Sequence, residues 1–456
     1  MNVSHKVNLI FVDNSTEAIG IKIEKEVVNF FLPECFCVGE RCCSDKVHAK
    51  IIENIALDEL NQNLKRDLLR FISSLSLVDT HVSNNVKQDK QNEQKAIPYE
   101  SFLWLINDYL ENGVFYNREK IFCKDLSGKI DWKRTLKGIP FISSGNIIYN
   151  KFVVSRMVST EDSLSQIYKI CVKASVSVIG WAFNYNFFVD AVRTKTVSEM
   201  VYIVKKELSV TFDDIKRLRL KHMLKVLESI NDSELNSSHY TYTVNNYYTV
   251  FEKMVDKFFL GLKEDEKKKF YPESTWTFPN TNDQLCADNV DDEFAGIGSL
   301  RPDTVCKKDG KIYILDSKMY RYGITGDIKH LPSMSSIQKQ ISYGEWAYYL
   351  DRNESDEPNI VRNAFILPFD KQTHQDLAKN KLKVGKGEIS DNLFYVGYAT
   401  SKLSHYSSVN PMKDYEYVFT YLLDFNYLLN NYDKTDIRKL EQLIKDIEQR
   451  LSSKKR

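Results

Sequence analysis

Residues Arg301–Tyr322 read RPDTVCKKDGKIYILDSKMYRY. Pro302 precedes an acidic residue, Asp303, and the polar Lys307-Lys308-Asp309-Gly310 leads into the apolar run Ile312-Tyr313-Ile314-Leu315. Asp316 and Lys318 end that run with one residue between them. Strand side chains alternate faces, so Asp316 and Lys318 point the same way, with Ile312 and Ile314 on their face. Tyr313, Leu315 and Ser317 take the other face, and a strand apolar on both sides is expected to be central in its sheet. Asp303 is placed on a neighbouring strand or at the start of the hairpin, joined through the Gly310 turn.

Antiparallel pairing would bring two carboxylates and an ammonium to one point. Two carboxylates repel unless a cation lies between them, and a hard cation such as Mg²⁺, with Mn²⁺ as its substitute, favours oxygen ligands. Lys318 would then orient or deprotonate water, or steady charge developing on a phosphate. An Asp-x-Lys triplet alone is commonplace, and a surface hairpin facing water is the plain alternative. Its position, at the end of an apolar strand after an acidic residue and a turn, favours the chemical reading.

The Pro302-Asp303 and Asp316-Ser317-Lys318 words resemble the PD-(D/E)xK nuclease superfamily. Val250-Phe251-Glu252-Lys253-Met254 upstream and Lys339-Gln340-Ile341-Ser342-Tyr343 downstream resemble the LlaJI-type restriction endonucleases, relatives of the nuclease subunit of McrBC-like systems. The resemblance is specific from about residue 245 to 400, and before that rests chiefly on Gly128-Lys129-Ile130-Asp131-Trp132. It implies an α/β fold with a restriction-endonuclease-like mixed sheet flanked by helices, preceded by smaller α/β or α+β domains. It also implies Mg²⁺-dependent cleavage of double-stranded DNA in a restriction–modification system. Asp303, Asp316 and Glu252 would be the metal and catalytic carboxylates, with Lys318 beside them. Lys339, Gln340 and Tyr343 would support Lys318 or contact DNA phosphate. Asp316 stands where many relatives carry glutamate, a shorter arm with the same charge.

A chain of 456 residues is long for one core and predicts about two or three domains. Its 43% hydrophobic and 27% charged content is that of a soluble globular protein. No apolar run is long enough to span a membrane. The start, MNVSHKVNLIFVDNS, lacks the basic region and apolar core of a signal peptide, so a cytoplasmic location is expected. The net charge of +1 announces no global positive field for nucleic acid, so any DNA-binding groups are expected in one groove. Cys35, Cys37, Cys42 and Cys43, with His48 beyond, do not match a paired C-x₂-C zinc site and read as thiols of a reducing compartment.

Three segments are expected. Residues 1–90 form a small α/β unit with strand-like runs in Lys6–Val12 and Ile19–Phe31, then helical periodicity over Ile51–Leu77. Residues 82–96, poor in large apolar groups, read as a linker. Residues 97–240 form a middle domain for DNA or partner contact. In it Trp132, with Lys133 and Arg134, is either a phosphate-backbone contact or a core anchor, and Lys205–Ile230 reads as one basic amphipathic helix. Residues 241–456 form the nuclease domain with its C-terminal helices.

In the nuclease segment, apolar residues at 251, 254, 255, 258 and 259 fit an amphipathic helix with Glu252 beside the stripe. Lys263–Lys269 reads as charged and solvated. Ser335 and Ser336 are expected to cap a helix over 335–350. Ala364–Pro368 and Leu393–Tyr398 read as strands, Gly397 as a bulge, and 412–430 as a helix.

The chain lacks a G-x-x-x-x-G-K-[ST] phosphate loop, so nucleotide hydrolysis would fall to a McrB-like GTPase partner, which the resemblance implies along with a cognate methyltransferase. Two alternatives stand beside restriction: an inactive nuclease fold used for DNA binding or scaffolding, and a nuclease of repair or transposon processing.

Overall fold

A computed structural model of the chain describes residues 6–12, 18–24, 27–36, 38, 51–56, 59–77, 97–125, 127–143, 146–149, 151–160, 162–183, 189–272, 275–277, 284–286, 300–350, 359–371, 387–390, 392–401 and 412–454. Cys37, Cys42, Cys43, His48 and the 82–96 linker lie outside the described residues, while Cys35 is buried. The architecture is α/β, with mixed sheets flanked by helices. No helix among the described residues is long and apolar enough to cross a membrane.

The chain divides into two compact units. One spans Pro98–Tyr240; the other joins the described residues of Ser4–Ile97 to those of Thr241–Arg456. In the first unit, helices Tyr99–Asn112, Ser163–Ile179, Val197–Val210 and Asp214–Ser229 accompany a small antiparallel sheet built on Asn117–Asp125 and Phe152–Thr160. The single helix expected over Lys205–Ile230 is two. Asp213 starts the second by accepting a bond from the Lys216 amide at 2.8 Å, which closes a helix N-terminus where the pattern alone ran on. Inside this unit Asp108 accepts both Arg219 Nε and Nη2 at 2.7 Å and the Tyr168 hydroxyl at 2.8 Å. Burial acts to raise the Asp108 carboxyl, but the bonds from Arg219 and Tyr168 hold it below its ordinary value. Trp132 is 56% exposed, with its ring edge-on to Phe152, so it is not a deep core anchor.

Among the described residues the second unit carries two large sheets and a two-stranded one, Thr275–Thr277 with Gln284–Cys286. Lys6–Val12, Ile19–Glu24, Val27–Pro33 and Ile51–Ala56 join residues 241–244 in one sheet. Ile51–Leu77 is therefore strand first and helix second. Ile51–Ala56 pairs antiparallel with Lys6–Val12, and the helix Gln62–Leu75 begins where the Asn61 side chain accepts the Leu64 amide at 2.8 Å. This N-terminal layer packs directly on the helix that carries Glu252. Phe71 meets Tyr247 at 5.8 Å between ring centroids, the Ser74 and Tyr247 hydroxyls lie 3.1 Å apart, and Lys253 Nζ donates to Leu77 O at 2.9 Å.

The second sheet positions the Arg301–Tyr322 stretch. Among the described residues its strands run in the order Thr304–Lys308, Lys311–Ser317, Ile360–Phe369, Val418–Asp424, Leu393–Ala399 and Gly387–Ser390. The first two are an antiparallel hairpin, with Thr304 opposite Leu315 and Lys308 opposite Lys311. Asp309 and Gly310 turn it with φ of +51° and +72°, the left-handed pair that a two-residue hairpin turn needs. Lys311–Ser317 then pairs parallel with Ile360–Phe369, which pairs parallel with Val418–Asp424. Parallel strands covered on both faces read as unbroken apolar runs. Val418–Asp424 is buried at every position. That explains why the expected 412–430 helix is instead a central strand followed by a short helix, Phe425–Asn431. A short apolar run satisfies strand and helix patterns alike, and only the pairing distinguishes them. The bulge expected at Gly397 is present, where pairing shifts between Tyr395 and Gly397.

The helix Met334–Tyr349 lies against this sheet. Its N-cap position is Ser333, so Ser335 and Ser336 fall inside the first turn rather than capping it. Gly344 lets the helix come close. A Cβ there would lie 2.3 Å from Asn363 Nδ2 and 2.8 Å from the Tyr415 Cβ. Asn363 cannot swing away freely, since Nδ2 donates to Gln340 O at 3.0 Å and Tyr415 O at 2.7 Å. Gly344→Ala is therefore expected to destabilise the protein by about 1–3 kcal/mol, measured by urea unfolding. A variant with the wild-type midpoint would show that the helix shifts at no cost.

Candidate active site

Each acidic or basic residue of the candidate centre is delivered by a different constraint. Asp316 is the penultimate residue of a buried strand and is 1% exposed. Lys318 lies just past the strand end, where its amide still donates to Ile366 O at 3.0 Å. Asp303 immediately precedes the opposing strand, and its Oδ2 accepts the Ser317 amide at 2.8 Å. Glu252 comes from the helix Tyr247–Phe258, whose apolar face is fully buried.

Lys318 is the hub. Its Nζ lies 3.0 Å from Asp316 Oδ2 and 3.8 Å from Asp303 Oδ2. Burial works against the Lys318 charge, but Asp303, Asp316 and Glu252 outweigh it and raise its affinity for a proton above the ordinary value. The acids respond in the opposite sense. Burial, then the Asp316 and Glu252 charges, push the Asp303 carboxyl well above the usual carboxylate range, against the pull of Lys318 and the Ser317 amide. Burial and the Asp316 charge push Glu252 up to about 7, although Lys318 and Lys339 oppose the shift.

Three carboxylates around one ammonium leave two negative charges uncompensated when all are ionised. Protonation relieves that excess in the shifts just described, and a divalent cation would relieve it equally. Among the described residues, no three His, Cys, Asp or Glu side chains form a ready-made metal cluster. Mg²⁺ does not require one, because it commonly keeps several waters and takes one or two carboxylates plus substrate phosphate. The donor chemistry of Asp303 and Asp316 therefore fits a hard divalent ion, with Glu252 within electrostatic reach.

The downstream motif residues are structural neighbours of this centre. Gln340 is completely buried, and its Nε2 donates to Ile314 O at 2.9 Å, tying the helix to the Asp316 strand. So placed, it cannot reach a phosphate in solvent. The Tyr343 hydroxyl, also on a buried side chain, donates to Arg301 O at 2.6 Å. Lys339 Nζ lies over the Tyr343 ring at 5.5 Å and acts on the Glu252 charge. His330 pairs with Thr325, Nδ1 to Oγ1 at 2.7 Å, and takes no part in the carboxylate cluster.

Two further residues support the centre: Lys267, with no distinguishing signal in the sequence, and Asp256, with only its spacing from Glu252. Lys267, inside the run read as charged and solvated, is 6% exposed. Its Nζ donates to Asp256 Oδ1 and Asp303 O, each at 2.9 Å. Asp256 lies one helical turn beyond Glu252, a spacing that would have signalled a shared helix side had a partner been suspected.

A family model described as LlaJI restriction endonuclease matches residues 42–383. No curated protein matches the chain. Among solved structures it is similar to a half-complex of a tetradecameric assembly of Thermococcus gammatolerans McrB AAA+ hexamers with bound McrC, at 12% identity and a TM-score of 0.43, covering 95% of this chain and 82% of that one. It is also similar to the Thermococcus gammatolerans McrBC complex, at 12% identity and a TM-score of 0.25, covering 52% of this chain and 63% of that one. Likeness at those scores carries no argument. The family match takes in more than half of the 456 residues, including Glu252, Asp303, Asp316, Lys318 and Lys339–Tyr343, and the chain therefore belongs to the LlaJI restriction endonuclease family, a family of nucleases.

Proposed function

We propose that the chain is the nuclease of a restriction system and hydrolyses phosphodiester bonds of double-stranded DNA with Mg²⁺. The observation that carries the reading is the Lys318 ammonium lodged against Asp316 and Asp303 at the end of a central strand. Asp303 and Asp316 would hold Mg²⁺, and the ion, when bound, supplies Lewis-acid stabilisation of the charge that builds on the attacked phosphate. Lys318 orients the attacking water and stabilises the same charge from the protein side. Glu252, pushed up to about 7, is poised to hold or move a proton near neutral pH. Gln340 and Tyr343 hold the strand and the Arg301 segment that present these groups, and Lys339 is the motif residue left to meet a phosphate.

The Pro98–Tyr240 unit is assigned to contact with DNA or a partner. Since the chain has no phosphate-loop motif, we assign nucleotide hydrolysis to a separate McrB-like subunit and protective methylation to a separate methyltransferase.

Calorimetric titration of Mn²⁺, standing in for Mg²⁺, into wild type and Asp316→Ala with non-cleaved DNA present tests the reading without knowledge of the target sequence. Saturable binding by wild type, weakened at least about tenfold in Asp316→Ala, is expected. Equal binding, or none in either folded protein, would remove Asp316 from metal binding and favour a DNA-binding or scaffold role.

A further inference from the structure

Two carboxylates of the centre, those of Glu252 and Asp303, come from separate elements with no covalent reason to stay in register. Glu252 is on the helix Tyr247–Phe258, and Asp303 is on an extended segment before the strand Thr304–Lys308. Lys267 spans the gap. Its ammonium donates to the Asp256 carboxylate, one turn along from Glu252, and to the main-chain oxygen of Asp303 itself. A lysine is rarely buried to this degree without a paired charge, since its ammonium loses water on burial. Here both partners are supplied, and each belongs to an element carrying a carboxylate of the centre.

The surrounding backbone is shaped to admit the Asp256 carboxylate. A Cβ on Gly261 would lie 2.1 Å from Asp256 Oδ1 and 2.7 Å from its Cγ, so glycine leaves the space that the carboxylate occupies. The chain reaches Gly261 through Leu260 at φ +55° and ties back by Gly261 N to Asp256 O at 2.8 Å. Leu262 N then donates to Val305 O at 2.8 Å, on the strand that follows Asp303. The helix end, the turn and the strand are thus closed around one ion pair, between the buried Lys267 and the half-buried Asp256.

We infer that Lys267, anchored by Asp256, is a positioning residue that sets the Asp303 carboxylate relative to Glu252 and Asp316. It touches neither the Asp303 carboxylate nor any reacting atom; it holds the peptide from which that carboxylate projects. The Asp303 side chain is fixed at its far end by the Ser317 amide at 2.8 Å, and Tyr343 holds the neighbouring Arg301 carbonyl at 2.6 Å. Removing the Lys267 contact frees the end of the segment nearest the carboxylate. The inference rests on the proposed metal role of Asp303 only for its functional consequence.

The test is hydrogen exchange at the Ser317 amide, resolved to that residue, in metal-free wild type, Lys267→Met, Lys267→Arg and Asp256→Asn, with Mn²⁺ calorimetry on the same four proteins. Lys267→Met and Asp256→Asn are expected to speed exchange at Ser317 about tenfold relative to Leu315 and to weaken Mn²⁺ binding about tenfold, with Lys267→Arg nearer wild type. Asp256→Asn keeps the shape of the site, so it reports even where Lys267→Met fails to fold. Unchanged relative exchange at Ser317 in the folded variants overturns the inference. Faster exchange with unchanged Mn²⁺ binding sustains it and removes Asp303 from metal binding instead.

Discussion

Replacing Lys318 with methionine is expected to slow DNA cleavage by about 10²–10⁴-fold while Mn²⁺ binds at least as tightly as in wild type. The two halves of that result have one cause. The Lys318 ammonium lies against the oxygens proposed to hold the ion, 3.0 Å from Asp316 and 3.8 Å from Asp303. An incoming divalent ion competes with it for those oxygens, so removing the ammonium removes a competitor. The proposed hydrolytic step, by contrast, loses the ammonium assigned to orient water and to meet the charge that develops on the phosphate. Methionine keeps most of the side-chain bulk, which limits collapse of a partly buried site. Single-turnover cleavage and Mn²⁺ calorimetry on the same preparation check both parts. Wild-type cleavage rates in the variant would take Lys318 out of the chemistry. A parallel loss of cleavage and metal binding would make it a structural element of the metal site.

The second large effect concerns stability rather than rate. Glu252 is pushed up to about 7 from an ordinary value of 4.5. A carboxyl raised in the folded state binds a proton that the unfolded chain has already released, so its contribution to stability is intact below about 4.5 and is lost as pH rises through 7. A shift of this size corresponds to about 3 kcal/mol between the two limits. Glu252→Gln removes the titrating group while keeping its shape. The metal-free variant is therefore expected to melt well above wild type at pH 8, with the difference shrinking towards pH 5. Mn²⁺ should restore part of the wild-type loss at pH 8, since a ligand that binds only the folded state stabilises by mass action. Melting curves across this range without divalent ions decide the point, and identical pH slopes for both proteins would refute the burial of an ionising Glu252. The energetic reading agrees with the proposed one: carboxylates crowded together with too little positive charge are destabilised when all are ionised, and a divalent ion would relieve that.

Much of the centre was legible in the chain itself. The Asp309-Gly310 turn between strand-like runs specified the hairpin, and side-chain alternation put Asp316 and Lys318 on one side of it. The helical stripe through Phe251, Met254, Val255, Phe258 and Phe259 placed Glu252 at the edge of a buried face. These are local properties, set by φ/ψ preference and periodicity over a few residues, and they need no knowledge of the rest of the protein.

Pairing and burial over long sequence separations were decided only by the tertiary structure. Val418–Asp424 carries spacing that suits a helix, and only its pairing, parallel with Ile360–Phe369 and antiparallel with Leu393–Ala399, makes it a strand. Lys267, Lys268 and Lys269 are indistinguishable as letters, yet Lys267 alone of the three is buried. The Asp256 carboxylate and the Asp303 carbonyl, 11 and 36 residues away in the chain, are what hold its ammonium inside. Likewise, Gln340 and Tyr343 look equally suited to phosphate or to scaffold until the sheet buries them. A buried charge or amide is stable only where distant partners satisfy it, and those partners are fixed by the packing of whole elements rather than by neighbours in the chain.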